Sequence, residues 1–195
     1  MPKIVTDQER ELIKEAIYEK TKQLIKEKGI KVVTVNDIAQ AVGIGKGSFY
    51  FYYPSREACL FEVLKRFERE MFSRIDRIMS SADTDKEKTI QLLKEIFMSK
   101  DSLFTAINQL DIEVLLRKLP PEYRTAEDEK SVNNFQRAMQ FLNLDENRME
   151  VVAMFTDCLG YVAGNQAYSQ KGKEEFSNTL INIMADYMIE EKQHE

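Results

Sequence analysis

Residues 43–53 read GIGKGSFYFYY, which sets one lysine, one serine and three tyrosines among three glycines and two phenylalanines. The segment is a cluster of hydrogen-bond donors around one fixed positive charge. Such groups suit phosphate oxygens and the edges of bases. Lys46 can neutralise a phosphate or reach a guanine, and Ser48 can bond a phosphate or a base edge. Tyr50 and Tyr52 offer hydroxyls to phosphate oxygens, and Gly47 lets the backbone come close to its target. The same residues also read as a loop followed by packing aromatics, and that alternative stays open at this level.

The side chains needed for catalysis are scarce. The chain has one histidine, His194, next to the last residue, so histidine-based triads and histidine-ligated metals have little to draw on. Cys59 and Cys158 are far apart and form no CxxC; they read as small buried hydrophobes. No glycine-rich phosphate loop follows a strand, and no carboxylate pair stands in a pattern that would raise a pKa. A non-enzyme without metal or cofactor is expected.

The elements that must position residues 46–52 are helical. Proline (4) and glycine (7) are few, Trp is absent, and β-branched alternation is hard to find. Thr6 with Glu9 predicts a capping box, after which Leu12, Ile13, Ala16, Ile17, Leu24 and Ile25 share one helical face as far as Gly29. Thr34 with Asp37 starts a second, short helix with Val35, Ile38, Ala39 and Val42 on one side, ended by Gly43. Lys46 to Tyr53 allows another helix of two turns, stopped by Pro54, and Ser55 is placed to cap the next one. Two short helices joined by a tight glycine turn and braced by a longer one predict a helix-turn-helix, with Ile44 and Phe49 facing Ile38 and Ala39 inside.

The run TVNDIAQAVGIGKGSFYFYYPSREACLFEVL, residues 34–64, resembles the N-terminal signature of the TetR family of transcriptional regulators. The likeness covers the capping Thr, Ile-Ala, the turn Gly-Ile, Lys-Gly-Ser, Phe-Tyr, an aromatic pair and Pro-Ser-Arg-Glu. It implies a ligand-controlled, mostly repressing protein that binds double-stranded operator DNA as a homodimer. Carried over residue by residue, it places phosphate contacts on Thr34, Lys46, Ser48, Tyr50 and Arg56. Base-facing candidates are Asn36, Gly47, Phe51 and Tyr52. The pattern departs at Tyr52, where many relatives carry His, and at Arg56, where they carry Lys.

The expected fold is therefore all-α. A helix-turn-helix head spans residues 1–55, and a helical ligand-binding and dimerisation body spans residues 56–195. Charge divides along this line: residues 1–56 hold ten Lys and Arg against seven Asp and Glu, a net +3, and the remainder holds eighteen against twenty-six, a net −8. From Ser55, Leu60, Leu64, Phe67, Met71, Ile75 and Ile78 recur at helical spacing over a long helix. Further helices are expected from about Lys86 to Phe97, from Leu103 to Leu119, and after Pro120-Pro121 to about Leu142. Phe97, Met98, Phe104, Phe135, Met139 and Phe155 are the candidates for lining a sensor pocket for a small-molecule effector, each with core packing as its alternative.

The last two helices are too apolar to bury a single side. Gly160 and Gly164 inside the first of them ask for close approach by another helix, since a mid-helix glycine costs about 1 kcal/mol against alanine. Phe176, Leu180, Ile183 and Tyr187 mark a face of the second. Both are expected to pair with their copies in a second subunit as a four-helix bundle. No apolar run reaches the roughly 18 residues of a membrane span, and the N-terminus lacks a signal-peptide core, so a cytoplasmic protein is expected. The reading from a different class is a helical small-molecule or protein-binding module without operator function.

Overall fold

The structure, a computed structural model, describes residues 6–100, 102–103, 106–107, 109–119, 123 and 146–189. Among them every extended regular element is an α-helix: α1 (Asp7–Lys28), α2 (Val35–Val42), α3 (Lys46–Phe49), α4 (Arg56–Met79), α5 (Asp85–Phe97), α6 (Gln109–Lys118), α7 (Glu146–Gly164) and α8 (Gln170–Ile189). The expected all-α fold is the observed one. Two compact units divide the chain: residues 1–67 with 106–129, and residues 68–105 with 130–195. The expected boundary at residue 55 is thus not where packing divides the chain. Ala58, Cys59, Leu60, Phe61 and Val63, in the first turns of α4, are buried and belong with the head.

In the first unit, α1 starts where Thr6 and Glu9 cap each other: the Glu9 amide donates to Thr6 Oγ1 at 3.2 Å, and Glu9 Oε2 accepts from the Thr6 amide at 3.0 Å. Its buried face is Ile17, Tyr18, Thr21, Lys22 and Ile25. Leu12, which helical spacing puts on the apolar side, is instead 65% exposed. Arg66 of α4 forks onto Glu15 through two hydrogen bonds of 2.6 and 2.8 Å, and its guanidinium lies 3.9 Å from the Tyr18 ring centre. The Arg66 hydrogen bond holds the Glu15 carboxyl below its usual range. Lys31, in the α1–α2 loop, reaches Asp111 of α6 at 2.6 Å.

α3 is shorter than its sequence suggests. It closes at Phe49: the amides of Phe51 and Tyr52 turn back three residues to Ser48 and Phe49, and the Tyr53 amide shares the Phe49 carbonyl at 3.1 Å. Pro54 disfavours helical backbone at Tyr53, so the segment tightens into a turn before α4. The Ala58 amide then donates to Ser55 Oγ at 3.0 Å, the cap expected for α4. α6 begins at Gln109 and not near Leu103, because Ser102 and Leu103 lie buried outside any helix, with the Ser102 hydroxyl donating to the Ile96 carbonyl. The helix expected up to Leu142 falls outside the described residues.

The second unit is organised around a cluster of Leu93 (α5), Val152 and Leu159 (α7), and Ile181, Met184 and Met188 (α8). Thr84 and Glu87 form the capping box that starts α5, which breaks the chain cleanly after α4. Arg74 at the far end of α4 is held to Glu95 of α5 at 2.5 Å, and Arg148 donates to the Tyr187 carbonyl at 2.8 Å across α7 and α8.

Candidate nucleic-acid interface

α2, a three-residue turn and α3 form the site. Thr34 caps α2: its hydroxyl accepts from the Asp37 amide at 3.1 Å and donates to Asp37 Oδ2 at 2.7 Å, while its own amide donates to the same oxygen at 2.7 Å. Lys28 reaches the other Asp37 oxygen at 2.7 Å. Hydrogen bonding from Lys28 first, and then from Thr34, holds the Asp37 carboxyl down at about 2. At the other end of α2 the backbone must reverse at Gly43, with φ 78°, a left-handed conformation that a side chain would strain. The Ile44 amide then donates to the Ala39 carbonyl at 3.0 Å, which fixes the turn.

Phe49 anchors α3. Its ring is fully buried with Ile38 and Ala39, as the sequence predicts, and burying a side chain of this size is worth about 1.5–3 kcal/mol. It meets Tyr50 edge-on at 5.5 Å between ring centres and lies 5.9 Å from Tyr53. Burial is also the main cause that pushes the Tyr53 phenol up to about 12. With Phe49 pinned inward, helical geometry turns Lys46, Gly47 and Tyr50 outward. Lys46 and Gly47 are exposed, Tyr50 is half exposed, and Phe51 is 80% exposed. A β-carbon added at Gly47 would meet nothing within 4 Å, so this position faces open space. Ser48 and Tyr52 are half-buried at the flanks, and Asn36 is exposed on α2.

Two of the expected phosphate contacts are placed differently. Both donors of Thr34, its amide and its hydroxyl, are committed to Asp37. The Arg56 guanidinium points into the protein: it donates to the carbonyls of Ile30 at 2.5 Å, Lys31 at 3.0 Å and Val33, and it pairs with Glu57 at 2.9 Å. Nothing in the sequence marks Arg56 for this, since its carbonyl partners lie 23 to 26 residues away. Lys46 differs from its basic neighbours. Lys28, Lys31, Arg56 and Arg66 each pair with a carboxylate, while Lys46 has no ion-pair partner among the described residues.

In the body, Phe97, Met98 and Phe155 are half-buried and packed against the α5–α7–α8 cluster; Phe104, Phe135 and Met139 lie outside the described residues. An open depression of about 600 Å³ runs along α4, lined among the described residues by Glu68, Arg69, Phe72, Ser73, Asp76, Arg77 and Ser80, and it includes none of the six. The buried face of α8 is Ser177, Ile181, Met184, Ala185 and Met188. Leu180 and Tyr187 touch the cluster's edge, and Phe176 and Ile183 face outward. Gly160 is half-buried and Gly164 exposed, and a β-carbon at either would meet nothing within 4 Å among the described residues. On α7 the exposed residues Met154, Cys158 and Tyr161 share one face at spacings of four and three, a signal the sequence held but which the Val151–Val162 pattern obscured. Cys158 is therefore not buried as expected, whereas Cys59 is.

A buried aromatic anchor beneath an exposed Lys-Gly-Ser turn, on two short helices braced by a third, defines a helix-turn-helix protein. Residues 17–63 match the family model described as bacterial regulatory proteins, tetR family. The HTH-type transcriptional regulator EthR of Mycolicibacterium smegmatis is 29% identical over 109 residues, 56% of this chain and 49% of that protein. The HTH-type transcriptional repressor KstR2 of the same organism is 34% identical over 90 residues, 46% of this chain and 40% of its own. The chain thus spans half or less of the length of these relatives. In overall fold it is similar to a putative transcriptional regulator from Saccharomonospora viridis solved in complex with choline, with a TM-score of 0.57 over 88% of this chain and 96% of that one at 17% identity. Residues 17–63 are thus similar to the tetR family of bacterial regulatory proteins, and the matched relatives are HTH-type transcriptional regulators.

Proposed function

We propose that the protein is a ligand-responsive repressor that binds a palindromic operator as a homodimer. The observation that carries this reading is the exposed tip: Lys46 without an ion-pair partner among the described residues, Gly47 facing open space and Phe51 80% exposed, all above a buried Phe49. Lys46, Ser48 and Tyr50 are the phosphate-contacting set, which fixes register. Asn36, Gly47, Phe51 and Tyr52 face the bases, with the Phe51 ring suited to a thymine methyl group. Two such tips would enter successive major grooves about 34–36 Å apart.

Support for the homodimer is the outward apolar face of α7 and α8, where Tyr161 is 67% and Ile183 49% exposed beside Met154 and Phe176. The open space over Gly160 and Gly164 suits close approach by a partner helix. The effector would be a small apolar or amphipathic molecule held in the body near Phe97, Met98 and Phe155. The choline complex of the Saccharomonospora viridis protein supports a small-molecule site in this fold. An effector that prefers the body conformation incompatible with operator spacing would shift the population by its differential affinity.

Selection of bound duplexes from a random DNA pool tests the proposal. Enrichment of an inverted repeat with half-sites about one helical turn apart is expected. Recovery of no sequence preference at low salt would sink it.

A further inference from the structure

We infer that Arg56 is a positioning residue: it sets the pose of the helix-turn-helix from inside the head and does not contact DNA. The inference rests on the DNA-binding reading only for its functional half. A guanidinium has five N–H donors in a fixed planar fork. Here Nε donates to the Val33 carbonyl, Nη2 to those of Ile30 at 2.5 Å and Lys31 at 3.0 Å, and Nη1 to Glu57 Oε1 at 2.9 Å. The side chain is only 21% exposed.

The three carbonyl acceptors belong to the loop that ends at Thr34, the cap of α2. Ile30 and Val33 are themselves buried, so the loop is held by its side chains and by its carbonyls together. This loop has left the regular hydrogen bonding of α1, whose last cap bond runs from the Gly29 amide to Ile25. Its carbonyls need donors from elsewhere, and α4 provides them through one side chain. The fork therefore fixes where α2 begins relative to the first turn of α4. That placement in turn orients α3, because the Gly43 turn and buried Phe49 leave it little freedom of its own. A lysine at this position would keep the charge but present its donors from a single point, which cannot serve carbonyls spread over four residues in the same geometry.

Full-length Arg56→Lys and Arg56→Met variants, each compared with wild type at a temperature where all are folded, test the assignment. Amide exchange over residues 30–38 should quicken by about tenfold or more in both variants, the scale of losing charge-assisted hydrogen bonds, while α5 exchanges as before. Affinity for the duplex that the wild-type chain enriches from a random pool should fall about tenfold or more in both, with an unchanged slope of log affinity against log salt. Wild-type affinity in Arg56→Lys together with a slope reduced by about one in Arg56→Met would make Arg56 a phosphate contact and overturn the inference. Faster exchange with undiminished affinity would reduce Arg56 to a stabilising role and overturn it equally. If the wild-type chain enriches no duplex, the DNA-binding reading fails by itself, and the exchange comparison still decides whether Arg56 holds the loop.

Discussion

The ring of Phe49 stands edge-on to that of Tyr50, their centres 5.5 Å apart, with the first fully buried and the second half in solvent. One contact therefore joins the core of the head to its outer surface. Phe49→Ala should cost about 3–5 kcal/mol of stability through the cavity it opens. Phe51→Ala, two residues on and outside, should change stability by less than about 0.5 kcal/mol yet weaken binding to the selected duplex by about tenfold, the scale of a lost base contact. Thermal melts paired with fluorescence anisotropy check both; equal effects of the two substitutions on melting would contradict the inside–outside assignment.

Lys46 has no ion-pair partner among the described residues, so its charge is available to a duplex. Lys46→Ala should reduce the slope of log affinity against log salt by about one and weaken binding to all sequences alike. A slope unchanged within error would remove Lys46 from the contact set.

Asp37 contributes to the acid dependence of the head's stability. Its folded carboxyl is held at about 2, below the roughly 3.9 of an unfolded aspartate. The depressed value means that its contribution is fully present above the unfolded pKa and is lost as pH falls from about 4 towards 2. The stability difference between wild type and Asp37→Asn should therefore shrink over that window. Urea titrations at a series of acid pH values measure it, and a difference that stays constant would show that the Lys28 and Thr34 contacts do not matter for stability.

The two cysteines should react very differently. Burial pushes the Cys59 thiol up to about 12, while Cys158 is exposed on α7. In a Cys158→Ser variant, a thiol-reactive chromophore should find no group at neutral pH until denaturant opens the fold. Rapid labelling of the native variant would mean that the first turns of α4 open readily.

Ile183→Glu places a charge on the outward face of α8, where the side chain is half exposed in the single chain. Sedimentation at micromolar concentration should show wild-type dimers and monomers of the variant, with each monomer's helical signal preserved. A wild-type monomer would reject the proposed bundle of α7 and α8.

The sequence by itself settled the local decisions. Thr6, Thr34 and Ser55 each start a helix through hydrogen bonds spanning three residues, and Gly43 turns the chain because its backbone can adopt positive φ. Phe49 is buried because helical spacing puts it on the face of Ile38 and Ala39, so the exposed tip was legible as well. Such signals need only neighbours within a few residues. Contacts between distant segments left no such trace. That Arg56 turns inward depends on carbonyls 23 to 26 residues earlier, whereas the family resemblance implied a phosphate contact. Spacing likewise marked Phe176, Leu180, Ile183 and Tyr187 as one face of α8, and only packing against Leu93 and Val152 decided that Ile181, Met184 and Met188 face inward and Ile183 faces out. A periodic pattern states that a helix has an apolar side; which of two such sides the chain covers for itself is decided by the shape of what folds against it.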